Sequence, residues 1–150
     1  METTTLHALW VEARTRFSIL LTQVQPHDLS KKLPGSPNSL GFLLRHIAEV
    51  ELLFAKNVFG SADLKVVAKT VIEGRDSGVW TDLESLKSLE RESFAALEAA
   101  ILRQTEGDWS FTVTTKEFGT KTKAEALGRI VSHTAYHAGQ MAIVLKYGKA

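Results

Sequence analysis

The chain has 150 residues, an apolar share of 44%, a charged share of 23% and a net charge of +1, which is the length of one domain and the composition of an ordinary globular protein. The near-neutral charge, with no basic tract, argues against nucleic acid or an anionic membrane as partner. The chain has no cysteine, which removes disulfides, thiolate metal sites and a cysteine nucleophile.

From Thr4 to about Gln25, apolar residues recur at Leu6, Trp10, Ala13, Phe17, Leu20, Leu21 and Val24. Steps of three and four are those of an amphipathic helix, with Glu12, Arg14 and Arg16 assigned to the opposite face. Pro26 to Pro37 holds three prolines and a glycine in twelve residues, which no helix can continue through. His27 falls in this connection and reads as a solvated loop residue.

Asn38 or Ser39 can cap a second helix that carries a stripe of Leu40, Leu43, Ile47, Val50, Phe54 and Val58 and ends at Gly60. His46 projects about 60° from the middle of that stripe, beside Leu43, Val50 and Leu53, with Glu49 at the edge of the same face. Ser61 to Trp80 is the least regular part: Leu64 to Val71 is apolar enough to pack, and Gly74 and Gly78 interrupt it. Such a linker can run the length of a bundle and leave the helices on either side parallel.

Thr81-Asp82-Leu83-Glu84 matches a capping box, and Leu83, Leu86, Glu90, Phe94, Leu97 and Ile101 follow at helical spacing to about Gln104, with Glu90 the polar interruption. Trp109, Phe111 and Val113 alternate with polar residues, which predicts a small hairpin within Gly107 to Lys121. Thr122-Lys123-Ala124-Glu125 is a second capping box. It opens a last long helix that runs to Tyr147 and closes at Gly148 in the C′ position. Four amphipathic helices with at most one hairpin predict an all-α four-helix bundle over residues 1–150, with a long crossover between the second and third helices.

His133 and His137 stand four apart on the last helix and fall on one face. On the helical wheel Ala126 and Val144 fall between the two histidines, Ile130 and then Met141 lie just beyond His137, and Gln140 flanks His133 on the other side. Both imidazoles therefore fall within the core arc. An unpartnered polar ring there costs roughly 1–3 kcal/mol. Either these are satisfied core histidines, with Glu49 as one partner, or with His46 they form a three-histidine metal site. The last helix has no inward carboxylate near His133, which disfavours a di-iron centre and favours a single ion. His7 reads as a surface residue near the bundle mouth. Trp10, Phe17, Phe42, Trp80 and Trp109 read as core or interface, and Thr112 to Thr115 has no nucleophile context.

L-G-F-L-L-R-H-I-A-E-V-E, the G-T-K-T-K-A-E-A-L lead-in to the last helix and S-H-T-A-Y-H-A-G-Q-M together resemble the DinB/YfiT-like family, whose members are assigned as metalloenzymes. The resemblance covers essentially the whole chain, and its most specific element is His46 with H-x-x-x-H-x-G-Q. It implies an up-down-down-up bundle, a homodimer, and a metal held by His46, His133 and His137. It also implies a small-molecule substrate, through either metal-dependent hydrolysis or S-transfer that uses a low-molecular-weight thiol.

The expected cofactor is one divalent ion, Zn²⁺ ahead of Ni²⁺. Gln140 is the candidate to orient a ligand or water, and Glu49 the candidate general base or partner of His46. Phe17, Phe42 and Tyr136 are the candidate pocket lining. The alternative is a non-catalytic dimeric bundle whose metal or bound ligand serves sensing or a stress role. Leu9, Ile19 and Leu89, off the main stripes, suggest the pairing face. M-E-T-T-T-L-H is not a signal peptide and no apolar run approaches the roughly 20 residues of a membrane span, so the expected location is the cytoplasm, away from any membrane.

Overall fold

Each of the four apolar stripes becomes a long helix in the computed structural model, which describes residues 1–150. The elements are α1 (Glu2–Leu21), α2 (Leu40–Asn57), a short α3 (Lys69–Glu73), α4 (Leu83–Leu102), the strands β1 (Thr112–Thr115) and β2 (Gly119–Thr122), and α5 (Lys123–Tyr147). Most of the chain is helix, and the fold is an all-α bundle with one small antiparallel hairpin.

The core forms two clusters stacked along the bundle axis. One joins Phe17 and Leu21 of α1, Leu40, Leu43 and Ile47 of α2, Leu83 and Leu86 of α4, and Met141 and Val144 of α5. The other joins Trp10, Val50 and Phe54, Leu97 and Ile101, and Leu127 and Ile130. The start of α1 therefore shares a cluster with the end of α2, the end of α4 and the start of α5. Helices α1 and α5 run one way, and α2 and α4 run the other.

The crossover retraces α2 on its outer side. The backbone N–H and hydroxyl of Thr70 meet Glu49, Asp76 accepts from the Ser39 N–H at 2.7 Å, and the Trp80 carbonyl lies over Gly41. A Cβ at Gly41 would collide with that carbonyl, so the crossover can approach only because the residue is glycine. Enclosed on both sides, α2 buries Ala48, Glu49, Glu51 and Leu52 as well as its apolar stripe.

Several expected boundaries shift for local reasons. α1 ends at Leu21, short of Gln25, because Gln25 and Asp28 cap the 3-10 turn at Pro26–Asp28. α4 is capped by the Asp82 carboxylate, which accepts from the Ser85 N–H at 3.2 Å, and not by a box from Thr81. Both residues are capping types, and the carboxylate adds favourable charge at the helix start. The Thr122–Glu125 box does form, with the reciprocal bonds at 3.2 and 2.8 Å.

The strands begin at Thr112 because Trp109 is taken up in a 3-10 turn, buried, its indole N–H donating to the Thr3 hydroxyl at 2.7 Å. Gly148 ends α5 with φ −69°, which is extended and not left-handed. It must be small because a Cβ would press on the Val144 carbonyl, where the chain crosses to pair Lys149 with Lys32.

Arg14 is the main departure from the expected faces. It is 3% exposed, since at 100° per residue it lies about 40° from Trp10, inside the arc, and only its charge suggests the outer face. Its Nε and one terminal nitrogen donate to the two Glu51 carboxylate oxygens at 2.9 Å each. The other terminal nitrogen meets Glu90 at 2.9 Å. Glu51 also accepts from Ser93 of α4 and Thr134 of α5, both at 3.1 Å. One buried, fully partnered network thus ties all four long helices, which is the condition under which a buried charge is tolerated. Burial, the largest single influence, would lower the Arg14 pKa, but the charges and hydrogen bonds of Glu51 and Glu90 together outweigh it and the net direction is upward.

Candidate metal centre

The crossing of α2 and α5 brings together three imidazoles. His46, His133 and His137 each offer one ring nitrogen, and these nitrogens lie within 4.8 Å of one another. His46 Nε2 and His133 Nε2 are 3.3 Å apart. The rings of His133 and His137 sit 4.5 Å apart edge to face, and those of His46 and His137 4.9 Å apart. The three side chains are half-buried, at the rim of the core arc and not within it. The buried centre of the α5 face is instead Ile130, Thr134, Ala138 and Met141.

Neighbouring residues set the tautomers. Glu49 is 1% exposed. One of its oxygens takes the Arg45 guanidinium and the other takes both the N–H and the hydroxyl of Thr70. With its hydrogen donated to Glu49, the Thr70 hydroxyl oxygen is left to accept from His46 Nδ1–H at 3.1 Å. That places the His46 proton on Nδ1 and a bare lone pair on Nε2. Likewise His137 Nδ1–H donates to the Gln140 side-chain oxygen at 2.6 Å, which frees its Nε2. Phe42 stacks on His46 with ring planes 5° apart and holds the ring from behind.

This arrangement fits a metal ion. Two nitrogens each about 2.0–2.1 Å from one tetrahedral ion lie roughly 3.3–3.4 Å apart, which is the His46–His133 separation. A lone pair on His46 Nε2 facing His133 Nε2 at that distance needs a cation or a proton between them. His133 Nδ1 is buried and has no partner. Burial first, and then the neighbouring His137, push His46 down to about 4, while burial with His137 and His46 pushes His133 down to about 3. Burial also lowers His137, against the Gln140 bond. All three are therefore neutral near pH 7, the form in which imidazole ligates. Glu49 and Glu51 are committed to Thr70, Arg45 and Arg14, so no carboxylate completes the set.

Two openings adjoin the histidines and share His133. One, a pocket of about 370 Å³, is lined by Val50, Leu53, Phe54, Val71 and Phe118, with His46 and His133 at its end. The other, a polar cleft of about 400 Å³, is framed by Arg129, Ser132 and Tyr136 beside His133 and His137. Tyr136 is exposed and meets His137 edge to face at 5.1 Å. Of the other expected lining residues, Phe42 lies behind His46, and Phe17 is buried in the core under the Arg14 guanidinium, away from the site.

His7, expected at the surface, is half-buried, pairs with Glu98 at 3.1 Å and is no member of the three-histidine group, and His27 is exposed beside Asp28. Thr70, Arg129 and Glu117 carry no signal in the sequence. Thr70 lies in the irregular crossover, and Glu117 and Arg129 come together only when the hairpin folds onto α5.

A model of the DinB superfamily matches residues 9–141. The chain belongs to that superfamily. Comparison with curated proteins finds no match. Among solved structures, this DinB-superfamily chain is similar to the mycothiol-dependent maleylpyruvate isomerase, with TM-score 0.70, 18% identity, and 94% of this chain and 61% of that chain covered. A histidine-to-alanine variant of the same isomerase gives TM-score 0.68 and 17% identity over the same shares. The likeness is one of fold, and the DinB-superfamily chain spans 61% of the isomerase's length.

No helix of the protein is long and apolar enough to cross a membrane. Of the residues that suggested a pairing face, Leu9 and Ile19 are 60% and 61% exposed, and Leu89 is half-buried.

Proposed function

We propose that this protein is a mononuclear metal-dependent enzyme that uses a low-molecular-weight thiol to act on a small molecule. The observation that carries the reading is the 3.3 Å approach of two imidazole Nε2 atoms, one of them left bare by the Thr70 bond. His46, His133 and His137 would hold the ion, Zn²⁺ ahead of Ni²⁺. A divalent ion there supplies a Lewis acid that lowers the pKa of a coordinated thiol or water.

The chain's own residues do the rest. Gln140 fixes the His137 ring, and Glu49 fixes His46 through Thr70, which makes both positioning residues. Val50, Leu53, Phe54 and Phe118 exclude water from the 370 Å³ pocket and take an apolar portion of the substrate. The polar cleft beside His133 and His137 gives the thiol its approach. The fold shared with a mycothiol-dependent enzyme favours thiol chemistry over hydrolysis. The exposed Leu9 and Ile19 are assigned to a homodimer contact.

The test is metal analysis of protein purified without a nickel column, followed by a screen of low-molecular-weight thiols against electrophilic small molecules. We expect about one zinc per chain, lost in His133→Ala and His137→Ala, and thiol consumption that depends on the metal. Substoichiometric metal unchanged by both substitutions would overturn the site. Ester or amide hydrolysis without thiol consumption would overturn the reaction class.

A further inference from the structure

The cleft holds a cation that the histidine chemistry does not use. Arg129 lies one turn before His133 on α5, on the wall of the polar cleft, and its charge reaches His133. Its guanidinium makes one hydrogen bond in the protein, from Nε to Glu117 at 3.3 Å. Both terminal nitrogens, the end that grips an oxyanion in bidentate fashion, have no protein partner. Glu117 sits in the β1–β2 turn and also lines the apolar pocket. Its carboxylate therefore lies where the apolar pocket and the polar cleft meet. Both partners are about half exposed, at 49% and 43%, and an ion pair of that kind is weak enough to exchange.

The geometry points to Arg129 as the anchor for a carboxylate of the substrate, with Glu117 occupying that position until the substrate displaces it. The substrate class is then a small molecule with an apolar body and one carboxylate. The body lies under Phe118 and beside Val50 and Leu53, and the carboxylate is turned out toward α5. The pairing is specific in shape as well as charge: the pocket is apolar on every side except where Glu117, Asn57, Thr115 and the histidines meet it. This assignment rests on the reading of the histidine cleft as a small-molecule site, but it does not require the metal.

Metal-free protein provides the test, because carboxylate coordination to an ion then contributes nothing. Phenylacetate and 4-phenylbutyrate, each against its neutral amide, are titrated while amide NMR shifts are followed at Glu117, Phe118 and Arg129. The carboxylates are expected to bind about tenfold tighter than the amides, a preference that Arg129→Gln abolishes. Glu117→Gln, which removes the internal competitor, is expected to tighten carboxylate binding severalfold and leave amide binding unchanged. Equal affinities for acid and amide, no loss in Arg129→Gln, weaker carboxylate binding in Glu117→Gln, or no binding of either probe would each overturn the assignment. Because no metal or thiol is present, these outcomes are separate from failure of the proposed reaction.

Discussion

The Thr70 hydroxyl stands between the Glu49 carboxylate and His46 Nδ1, donating to the first and accepting from the second at 3.1 Å. Residues that fix a ligand ring in this way typically change metal affinity by about 10–100-fold when removed. Thr70→Val should weaken zinc binding by that order, while Thr70→Ser should stay near wild type. Competition against a chelating dye measures both. Equal affinity in Thr70→Val would show that the relay does not orient His46.

The depressed histidine pKa values give the metal-free protein a definite acid response. His46 and His133 titrate near 4 and 3 when folded, against an ordinary 6.5. Between these limits the unfolded chain binds protons that the native chain does not, so stability falls as pH falls through the window. Thermal melts from pH 7 to 5 should show this decline before most carboxylates protonate. In His133→Asn the decline over that range should be shallower. An unchanged slope would remove His133 as a source of it.

Arg14 and Glu51 form a two-bonded pair in a wholly buried setting. Arg14→Ala leaves the buried Glu51 charge uncompensated and should cost about 3–5 kcal/mol in urea unfolding, whereas Glu51→Ala leaves Arg14 its pair with Glu90 and should cost less. The double change Arg14→Met with Glu51→Leu should recover most of that. Additive losses in the double variant would contradict the account.

Two glycines should respond in opposite ways. Gly41→Ala places a methyl against the Trp80 carbonyl and should destabilise the fold by more than about 1 kcal/mol, since the obstacle is backbone. A Cβ at Gly139 meets nothing within 4 Å, so Gly139→Ala should raise helix stability by about 0.5–1 kcal/mol. Chemical denaturation of both variants decides.

What is legible in the sequence is periodic. The stripes through Trp10, Ile47, Leu97 and Ile130 locate the long helices, and the four-residue spacing of His133 and His137 locates the site. Residues that break the period mislead or stay hidden. The charge of Arg14 points it outward, although its wheel position is inward, and its counter-charge Glu51 lies 37 residues away. Thr70 belongs to a segment with no period, and it matters because it crosses α2 opposite Glu49. Of the polar cleft, the two histidines and Tyr136 stand out in the sequence, but the Arg129–Glu117 pair does not, because the hairpin's return onto α5 is a tertiary event with no local signature.

The bond from Thr134 to Glu51 has a consequence for the site beside it. Thr134 adjoins His133, and Glu51 lies five residues beyond His46, so the charged lock sets the axial register of α5 against α2. A slide of either helix by one turn would strand Glu51 without its partners and separate the imidazoles in the same movement. The spacing of the coordinating nitrogens is thus inherited from residues that never meet a ligand. Side chains around the two openings are free to diverge and accept new substrates while the lock keeps the three rings in position.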